Sequence, residues 1–384
     1  MEISQIYEAV NTATQEAIGD SSLVSEDLGN IVDVGTAIFN ANSIDKYVRK
    51  LVDHIGRVIF VNREYNGSVP SVLRDGWEYG AVLEKIAAVM PQAQENESWE
   101  LENGASYDPN IFYKPDVYAK FYNKRTTFEI PLSFTEMQVK GSFSGADQMN
   151  GFLSMLFTSV QNSATVKNSE LIMRTINNMI GETFYTYNSG GTYTGAGDTR
   201  CVNLLAQYNT RYSKSLTAAN AVTDPDFIRF AAYVMGVYKS RMSRISKLFN
   251  IGGMERFTPE DRLHFVLLAD FAKAADVFLQ SDTFHETFTK LPEAELVPYW
   301  QGSGTDYAFS SIASLSVTTA DGHAVTPAGI LGVMFDHDAL GVCNADRRVT
   351  TNYNPKAEFF SNWYKFDTGY FNDFNENFVV FYAA

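Results

Sequence analysis

The chain has 384 residues, of which 45% are hydrophobic and 14% aromatic, and its formal net charge is −15 at pH 7. This apolar content is enough for a sizeable core and excludes a disordered chain. The acidic balance makes the chain a poor candidate for a protein that binds nucleic acid tightly by neutralising its phosphates. Two cysteines in the whole sequence exclude a disulfide scaffold and predict two unpaired thiols.

The sequence carries no visible targeting signal. Its first ten residues, MEISQIYEAV, have neither the basic region nor the apolar region of a signal peptide. No apolar run approaches the roughly 20 residues that a membrane-spanning helix needs. We therefore expect a soluble protein that is made in the cytoplasm and has no membrane partner.

The first 55 residues predict an arm that contains two short helices. Apolar residues of ISQIYEAVNTATQEAIGD recur at helical spacing, with Val10 and Ala13 among them. The second predicted helix covers SIDKYVRKLVDHI, with Ser43 as its N-cap and Gly56 at its end.

Residues 56–140 predict an extended hairpin. RVIFV and TTFEIPLSFTEMQV have the composition of strands, and Phe128, Ile130, Leu132 and Phe134 share one face of the second. Between them, residues 74–116 hold nine Asp and Glu against three Lys and Arg. The net charge of this segment, −6, predicts a solvated excursion that projects from the body.

The clearest predicted helix follows Asp147. Apolar residues keep helical spacing from Met149 to Ile180, which predicts a helix on the order of 50 Å long that spans the molecule. The segment NSATVKNSE is compatible with a short break in this helix. The face that we expect to be buried contains Phe152, Leu153, Leu156 and Val160.

The second half of the chain predicts a mixture of elements. Residues 185–223 are rich in Gly, Ser, Thr and Tyr, which indicates a loop with short strands. A helix is expected over residues 224–249, with an Asp cap and a Pro in its first turn. LHFVLLA predicts a buried strand, DFAKAADVFLQ predicts a helix, and the last fifty residues alternate as in antiparallel sheet.

One cluster of reactive residue types lies near the C-terminus. GVMFDHDALGVC holds Asp336, His337, Asp338 and Cys343 within eight positions. A metal site usually recruits several His from one side, and the five His of this chain are not paired at helical spacing. We therefore predict two strands joined by a turn with solvated Asp side chains, and we place Cys343 in the core.

The order of the segments resembles the major capsid proteins of tailed bacteriophages, which share the Hong Kong 97 fold. ILGVMFDHDALGVCNADRRVTTNYNP is similar to the family's strand, Asp-containing turn and strand with an Asp-Arg pair, here Asp346-Arg347. FDTGYFNDFNENFVVFYA is similar to its final strand. The resemblance implies an α+β fold with an N-terminal arm (1–55), an extended E-loop hairpin (56–140), a P-domain with a spine helix (141–184) and C-terminal strands (335–384), and an A-domain (185–334).

The same resemblance implies a structural protein, not an enzyme, that assembles into pentamers and hexamers of an icosahedral shell around phage DNA. Its partners would be other copies of itself, a portal protein and a separate scaffolding protein, with the genome as loosely held cargo. No cofactor and no metal are expected. The hairpin would contact neighbouring subunits through Trp77, Tyr79, Trp99 and Tyr113.

Two alternatives belong to other classes of protein. One is a metal-dependent hydrolase built around His264, Asp270 or the turn at residues 336–338. The other is a structural protein of a phage tail or baseplate. The long helix argues against a tail protein, and the absence of G-x-S-x-G and H-E-x-x-H argues against the hydrolase.

Overall fold

A computed structural model describes most of the chain. The described residues are 10–16, 31–40, 46–51, 69–74, 83–91, 93–95, 103, 106, 108, 110–123, 125–142, 146–187, 197–280, 293–302 and 306–384. The strand predicted at residues 57–61 and the side chains of Trp77, Tyr79 and Trp99 lie outside them.

Helices and strands are mixed along the described chain, which confirms the predicted α+β class. The helices are α1 (10–16), α2 (Ile31–Asn40), α3 (46–51), α4 (Glu136–Ser142), α5 (Ala146–Tyr187), α6 (Leu204–Tyr212), α7 (Ala218–Ala221), α8 (Pro225–Met242), α9 (Ala269–Gln280) and α10 (Phe309–Ile312). The strands are β1 (Leu73–Arg74), β2 (Leu83–Ala88), β3 (Val117–Tyr122), β4 (Arg125–Thr135), β5 (Cys201–Asn203), β6 (Leu263–Leu268), β7 (Glu295–Val297), β8 (Val317–Thr318), β9 (Ala324–Val325), β10 (Ile330–Asp336), β11 (Leu340–Asn354), β12 (Phe359–Asn372) and β13 (Phe378–Tyr382).

The chain divides into two compact units, each made of three segments. The first unit comprises Met1–Tyr79, Arg125–Ile172 and Val342–Gly369. The second comprises Gly80–Lys124, Met173–Gly341 and Tyr370–Ala384. Because of these limits, α5, β11 and β12 each contribute residues to both units.

The first unit is built on a four-stranded sheet of order β1-β11-β12-β4. Strand β4 pairs antiparallel with β12 along its whole length, from Arg125 opposite Gly369 to Thr135 opposite Phe359. Alternate side chains of β4 point to one face of the sheet and pack against the core. The apolar alternation of this strand therefore serves a sheet with the C-terminal strand β12.

Helix α5 runs for 42 residues without a break, which corresponds to about 63 Å at the helical rise per residue. The segment at 162–170 continues the helix because it contains no Pro or Gly, and Lys167 pairs there with Glu170 at 2.7 Å. No helix of the described residues is long and apolar enough to cross a membrane. The buried positions of α5 include Phe152, Leu153, Leu156, Val160, Ile172, Ile176, Met179 and Ile180.

The second unit contains a five-stranded sheet of order β5-β13-β10-β6-β7. Strand β10 pairs antiparallel with both β13 and β6, and every residue of β10 and β13 is buried. Tyr238 of α8 packs edge-on against Phe381 of β13, with ring centroids 5.4 Å apart. The buried strand and helix predicted at residues 263–280 are confirmed as β6 and α9.

Three predicted elements differ in the structure. Residues 204–212 form α6 rather than a loop, because the Asn203 side chain caps the helix by accepting a hydrogen bond from the Ala206 amide at 3.1 Å. Helix α8 begins as predicted but ends at Met242, since Ser246 and Arg256 exchange backbone hydrogen bonds just beyond it. The third difference concerns the predicted hairpin.

The second strand of the predicted hairpin ends earlier than predicted. Residues 136–142 form α4 instead of extending the strand, because Thr135 and Gln138 make the reciprocal hydrogen bonds of a capping box at 2.8 and 3.3 Å. Arg74 belongs to β1, and β2 lies inside the segment predicted to be a solvated excursion. The described hairpin consists of β2 and β3. An extended hairpin, one long helix and a C-terminal antiparallel sheet are nevertheless the parts that the Hong Kong 97-type fold implied.

Candidate functional site

The hairpin of β2 and β3 has two chemically different faces. The strands pair antiparallel from Leu83 opposite Tyr122 to Ala88 opposite Val117. Because side chains alternate along a strand, paired positions share a face. One face carries Lys85 and Lys120, and we call it the inner face. The other face we call the outer face, and its members are Glu84, Ile86, Ala88, Val117, Ala119 and Phe121.

Basic side chains fix the inner face to the turn between β12 and β13. The Lys85 ammonium group lies 2.7 Å from an oxygen of Asp373 and 2.7 Å from an oxygen of Glu376. Lys120 donates a hydrogen bond to the other oxygen of Asp373 at 2.8 Å, and Arg256 lies 3.3 Å from Glu376. We call these five residues the anchor cluster.

Both carboxylates of the anchor cluster lie away from solvent. Asp373 is fully buried and Glu376 is 7% exposed. A buried carboxylate is tolerated only when charged or hydrogen-bonding partners replace its water. Asp373 has such partners, since Lys85, Lys120 and the Asn375 amide all donate to its oxygens.

Ionisation of the anchor cluster is favoured around neutral pH. Burial opposes the charge on Asp373, but hydrogen bonds from Lys120 and Lys85 outweigh it and hold the pKa of that carboxyl below its usual range. Burial also opposes the charge on Lys85, but its bonds to Asp373 and Glu376 raise the pKa of the amine above the usual 10.5. Lys85 is therefore a charged anchor and not a free nucleophilic amine.

Aromatic contacts support the same attachment. Arg256 donates a hydrogen bond to the hydroxyl of Tyr118 on the inner face, and its guanidinium lies 5.8 Å from the centroid of that ring. Tyr122 packs against Phe371, with ring centroids 5.2 Å apart. Burial, reinforced by Asp373, raises the pKa of Tyr122 far above its usual value, so this hydroxyl stays neutral. The inner face is thus occupied within its own subunit.

The outer face is apolar and exposed to solvent in the single chain. Ile86, Val117 and Phe121 expose 63%, 59% and 64% of their surface. Phe112 and Tyr113, in the segment that leads into β3, are exposed even further. Large apolar side chains that share one exposed surface mark a site of protein association.

The other predicted site residues fall into two groups. Tyr113 is exposed beside the hairpin, whereas Trp77, Tyr79 and Trp99 are not among the described residues. On α5 the predicted face is buried in one apolar cluster with Phe134 and Phe360, and its members are Phe152, Leu153, Leu156 and Val160. The sequence did not point to the anchor cluster, because its charges are far apart along the chain. The one local sign of the anchor cluster in the sequence is the alternation of VYAKFY in β3.

The turn at residues 336–338 is structural. Asp336 is buried, not solvated as predicted, because its side chain accepts a hydrogen bond from the Asp338 amide at 2.8 Å. His337 lies 2.9 Å from His264, and Asp338 lies 3.3 Å from Arg262. Among the described residues, no three His, Cys, Asp or Glu side chains could hold one metal ion together. The hydrolase alternative therefore gains no support.

The two cysteines form no disulfide, as predicted, and both are buried. Cys343 is 4% exposed in β11. Burial raises the pKa of the Cys201 thiol well above its usual value, which keeps it protonated and unreactive.

Comparison with known proteins gives the family. The model of the Phi29-like phage major capsid protein family matches residues 8–382. The capsid of Staphylococcus phage Andhra is similar with a TM-score of 0.47 and 11% identity, covering 82% of this chain and 83% of that chain. The capsid of cyanophage P-SCSP1u is similar with a TM-score of 0.39 and 8% identity, over 82% and 86% of the two chains. No curated protein matches the chain.

The family match extends over nearly the whole chain and includes both units and the hairpin. It confirms the resemblance to the major capsid proteins of tailed phages and leaves the hydrolase and tail alternatives without support. The chain belongs to the Phi29-like phage major capsid protein family and is a structural protein of the virion shell.

Proposed function

We propose that copies of this chain form pentamers and hexamers, which close into an icosahedral shell around the phage genome. Rings form when one surface of a subunit binds a different surface of the next, so each subunit needs an arm and a place that receives it. The arm in this proposal is the E-loop (56–140). The other parts of the subunit in this proposal are an N-terminal arm (1–55), a P-domain (141–184 with 335–384) and an A-domain (185–334).

The observation that carries this proposal is the difference between the two faces of the hairpin. The inner face is held within its own subunit by buried ion pairs. The outer face exposes Ile86, Val117 and Phe121. Burying an apolar side chain of this size contributes about 1.5–3 kcal/mol. Burial of the outer face against another subunit would therefore favour association, because these side chains stay exposed in the single chain.

The proposal includes further partners. A separate scaffolding protein and a portal protein would act during assembly in the host cytoplasm. The net charge of −15 supports a shell that encloses DNA without binding it tightly. The acidic protein repels the phosphates of DNA, and loose enclosure does not need a large basic surface to neutralise them.

A pair of substitutions tests the arm. Ile86→Ser with Phe121→Ser removes apolar surface from the outer face and leaves the inner face unchanged. We expect folded, soluble subunits with wild-type circular dichroism and no shells by electron microscopy. Val277→Ser on α9, where the side chain is 62% exposed, is the matched control and should assemble normally. Normal shells from the double variant would remove the outer face from the proposed function.

A further inference from the structure

A cleft lined by tyrosines and basic side chains lies between α6 and α8, within the second unit. Its volume is about 500 Å³. We call it the tyrosine–arginine cleft, and its principal members are Tyr208, Arg211, Tyr212, Lys214, Arg229 and Tyr233.

Arg211 is stacked against two aromatic rings. Its guanidinium carbon lies 5.7 Å from the ring centroid of Tyr212 and 5.9 Å from that of Tyr233. Tyr212 in turn meets Phe230 edge-on, with centroids 6.0 Å apart. Stacking uses the faces of a guanidinium, whereas its N–H donors lie along its edges and can form a fork with a carboxylate. Tyr212 and Tyr233 are both at least half exposed, so the arrangement is open to a partner.

The charge of the cleft is opposite to that of the protein. Arg211, Lys214 and Arg229 are countered there by Asp226, which lies 3.3 Å from Arg229. A cleft with a net charge of +2 in a chain of net charge −15 favours an anionic partner. Its size suits side chains of a peptide rather than a nucleic-acid duplex, which the rest of the acidic surface would repel.

The chain itself contains a segment of the required chemistry. Residues 89–116, which connect β2 with β3, contain six acidic residues and a single basic one, Lys114. Their described acidic side chains, those of Glu95, Asp108 and Asp116, are exposed. The segment also carries exposed aromatic residues such as Phe112, which could pack against the tyrosines of the cleft.

We infer that the tyrosine–arginine cleft of one subunit binds the acidic segment 89–116 of a second copy. This inference rests on the proposed function, because it requires that copies associate. It adds a second, electrostatic contact to the apolar contact of the outer face. The two contacts differ in chemistry, so they are separable by substitution.

An exchange of charges tests the inference in the full-length chain. Arg211→Glu with Lys214→Glu reverses the cleft, and Glu95→Lys with Glu97→Lys and Glu100→Lys reverses the segment. Each reversed chain should give about tenfold fewer shells than the wild type, since like charges then face each other. A chain that carries all five substitutions should regain most of the shell yield. Lys167→Glu with Lys273→Glu, at exposed lysines outside the cleft, is the control and should assemble normally.

Two results would overturn the inference. One is a normal shell yield from the chain with the reversed cleft. The other is that the chain with all five substitutions folds, as judged by circular dichroism, but assembles no better than the chain with the reversed cleft or the chain with the reversed segment. If the reversed cleft fails to fold, Arg211→Gln with Lys214→Gln is the substitute, and a normal shell yield from it contradicts the inference equally. A wild-type chain that forms no shells even when it is co-expressed with its scaffolding protein would instead contradict the proposed function.

Discussion

The ammonium group of Lys85 lies 2.7 Å from a carboxylate oxygen of Asp373, a residue 288 positions later whose side chain has no exposed surface. This contact joins the hairpin to the C-terminal part of the same subunit. A buried ion pair is stable only when each charge keeps its partner. The pair therefore fixes the inner face within the subunit, whereas the outer face stays exposed in the single chain.

Removing the central carboxylate should destabilise the subunit. Asp373→Ala leaves the amines of Lys85 and Lys120 without their shared partner, and breaking a buried pair in this way costs about 3–5 kcal/mol. Chemical denaturation measures the change. Asp276→Ala, which breaks an exposed pair with Lys273, should change the free energy of unfolding by about 0.5 kcal/mol or less. Equal effects of the two substitutions would show that the anchor cluster contributes nothing.

The attachment of the hairpin should be insensitive to pH around neutrality. The pKa of Asp373 is lowered, so its contribution is complete above the ordinary value of 3.8 and is lost as pH falls through the lower folded value. The pKa of Lys85 is raised, so its contribution is complete below 10.5 and is lost as pH rises through the higher folded value.

Hydrogen–deuterium exchange of β2 and β3, corrected for the intrinsic effect of pH, measures this dependence. We expect constant protection from about pH 5 to about pH 9 and a loss only in stronger acid or base. Strand β10, in which every residue is buried, provides the reference within the same sample. A loss of hairpin protection between about pH 5 and about pH 9 would be incompatible with the shifts assigned to Asp373 and Lys85.

Two adjacent positions of α5 should respond very differently to truncation. Leu156 is 1% exposed within the apolar cluster of the first unit, and Met155 is half exposed. Leu156→Ala should lower the free energy of unfolding by about 2–5 kcal/mol. Met155→Ala should change it by about 0.5 kcal/mol or less. Thermal or chemical denaturation of the pair provides the comparison, and similar values would show that residue 156 does not face the core.

Shortening the hairpin should separate folding from assembly. Replacing residues 91–114 by a short Gly/Ser turn keeps both strands and the anchor cluster, because the Val89 amide already bonds the Asp116 carbonyl at 2.8 Å. Loop length has a small effect on stability, so the body should fold normally. The arm would be truncated, and electron microscopy should show no shells.

The longer deletion of residues 74–116 is the contrasting variant. It removes Lys85 as well, and Asp373 then keeps only Lys120 as a basic partner. Its melting temperature should therefore lie below that of the 91–114 replacement. Identical melting temperatures would show that β2 adds nothing to the stability of the subunit.

Local patterns predicted the long elements well. Helix α5 was visible because its apolar residues recur at helical spacing over about nine turns, and β4 was visible from its alternation of apolar and polar side chains. The short helix α6 was not predicted, because the many Gly, Ser and Thr residues around it are typical of a loop. Asn203 before Leu204 and Leu205, and Thr135 three residues before Gln138, were the capping signals that reveal α6 and the start of α4.

The anchor cluster could not be predicted in the same way. Its ion pairs join residues 120 to 291 positions apart, and no local periodicity connects them. In the sequence, Lys85 is one of three basic residues in an acidic segment. The burial of Asp336 also depends on tertiary structure, because it lies at the end of β10, which is placed between β13 and β6 in the sheet. Tertiary contacts decide the environment of such charges.

In the proposed shell, the outer face of the hairpin contacts a neighbouring subunit. A cryo-electron microscopy map of particles assembled from the wild-type chain tests it most directly. We expect closed shells in which Ile86, Val117 and Phe121 are buried against the next subunit while Lys85 remains bound to Asp373 of its own chain. Shells in which these three side chains face solvent, or in which the inner face contacts the neighbour, would contradict it.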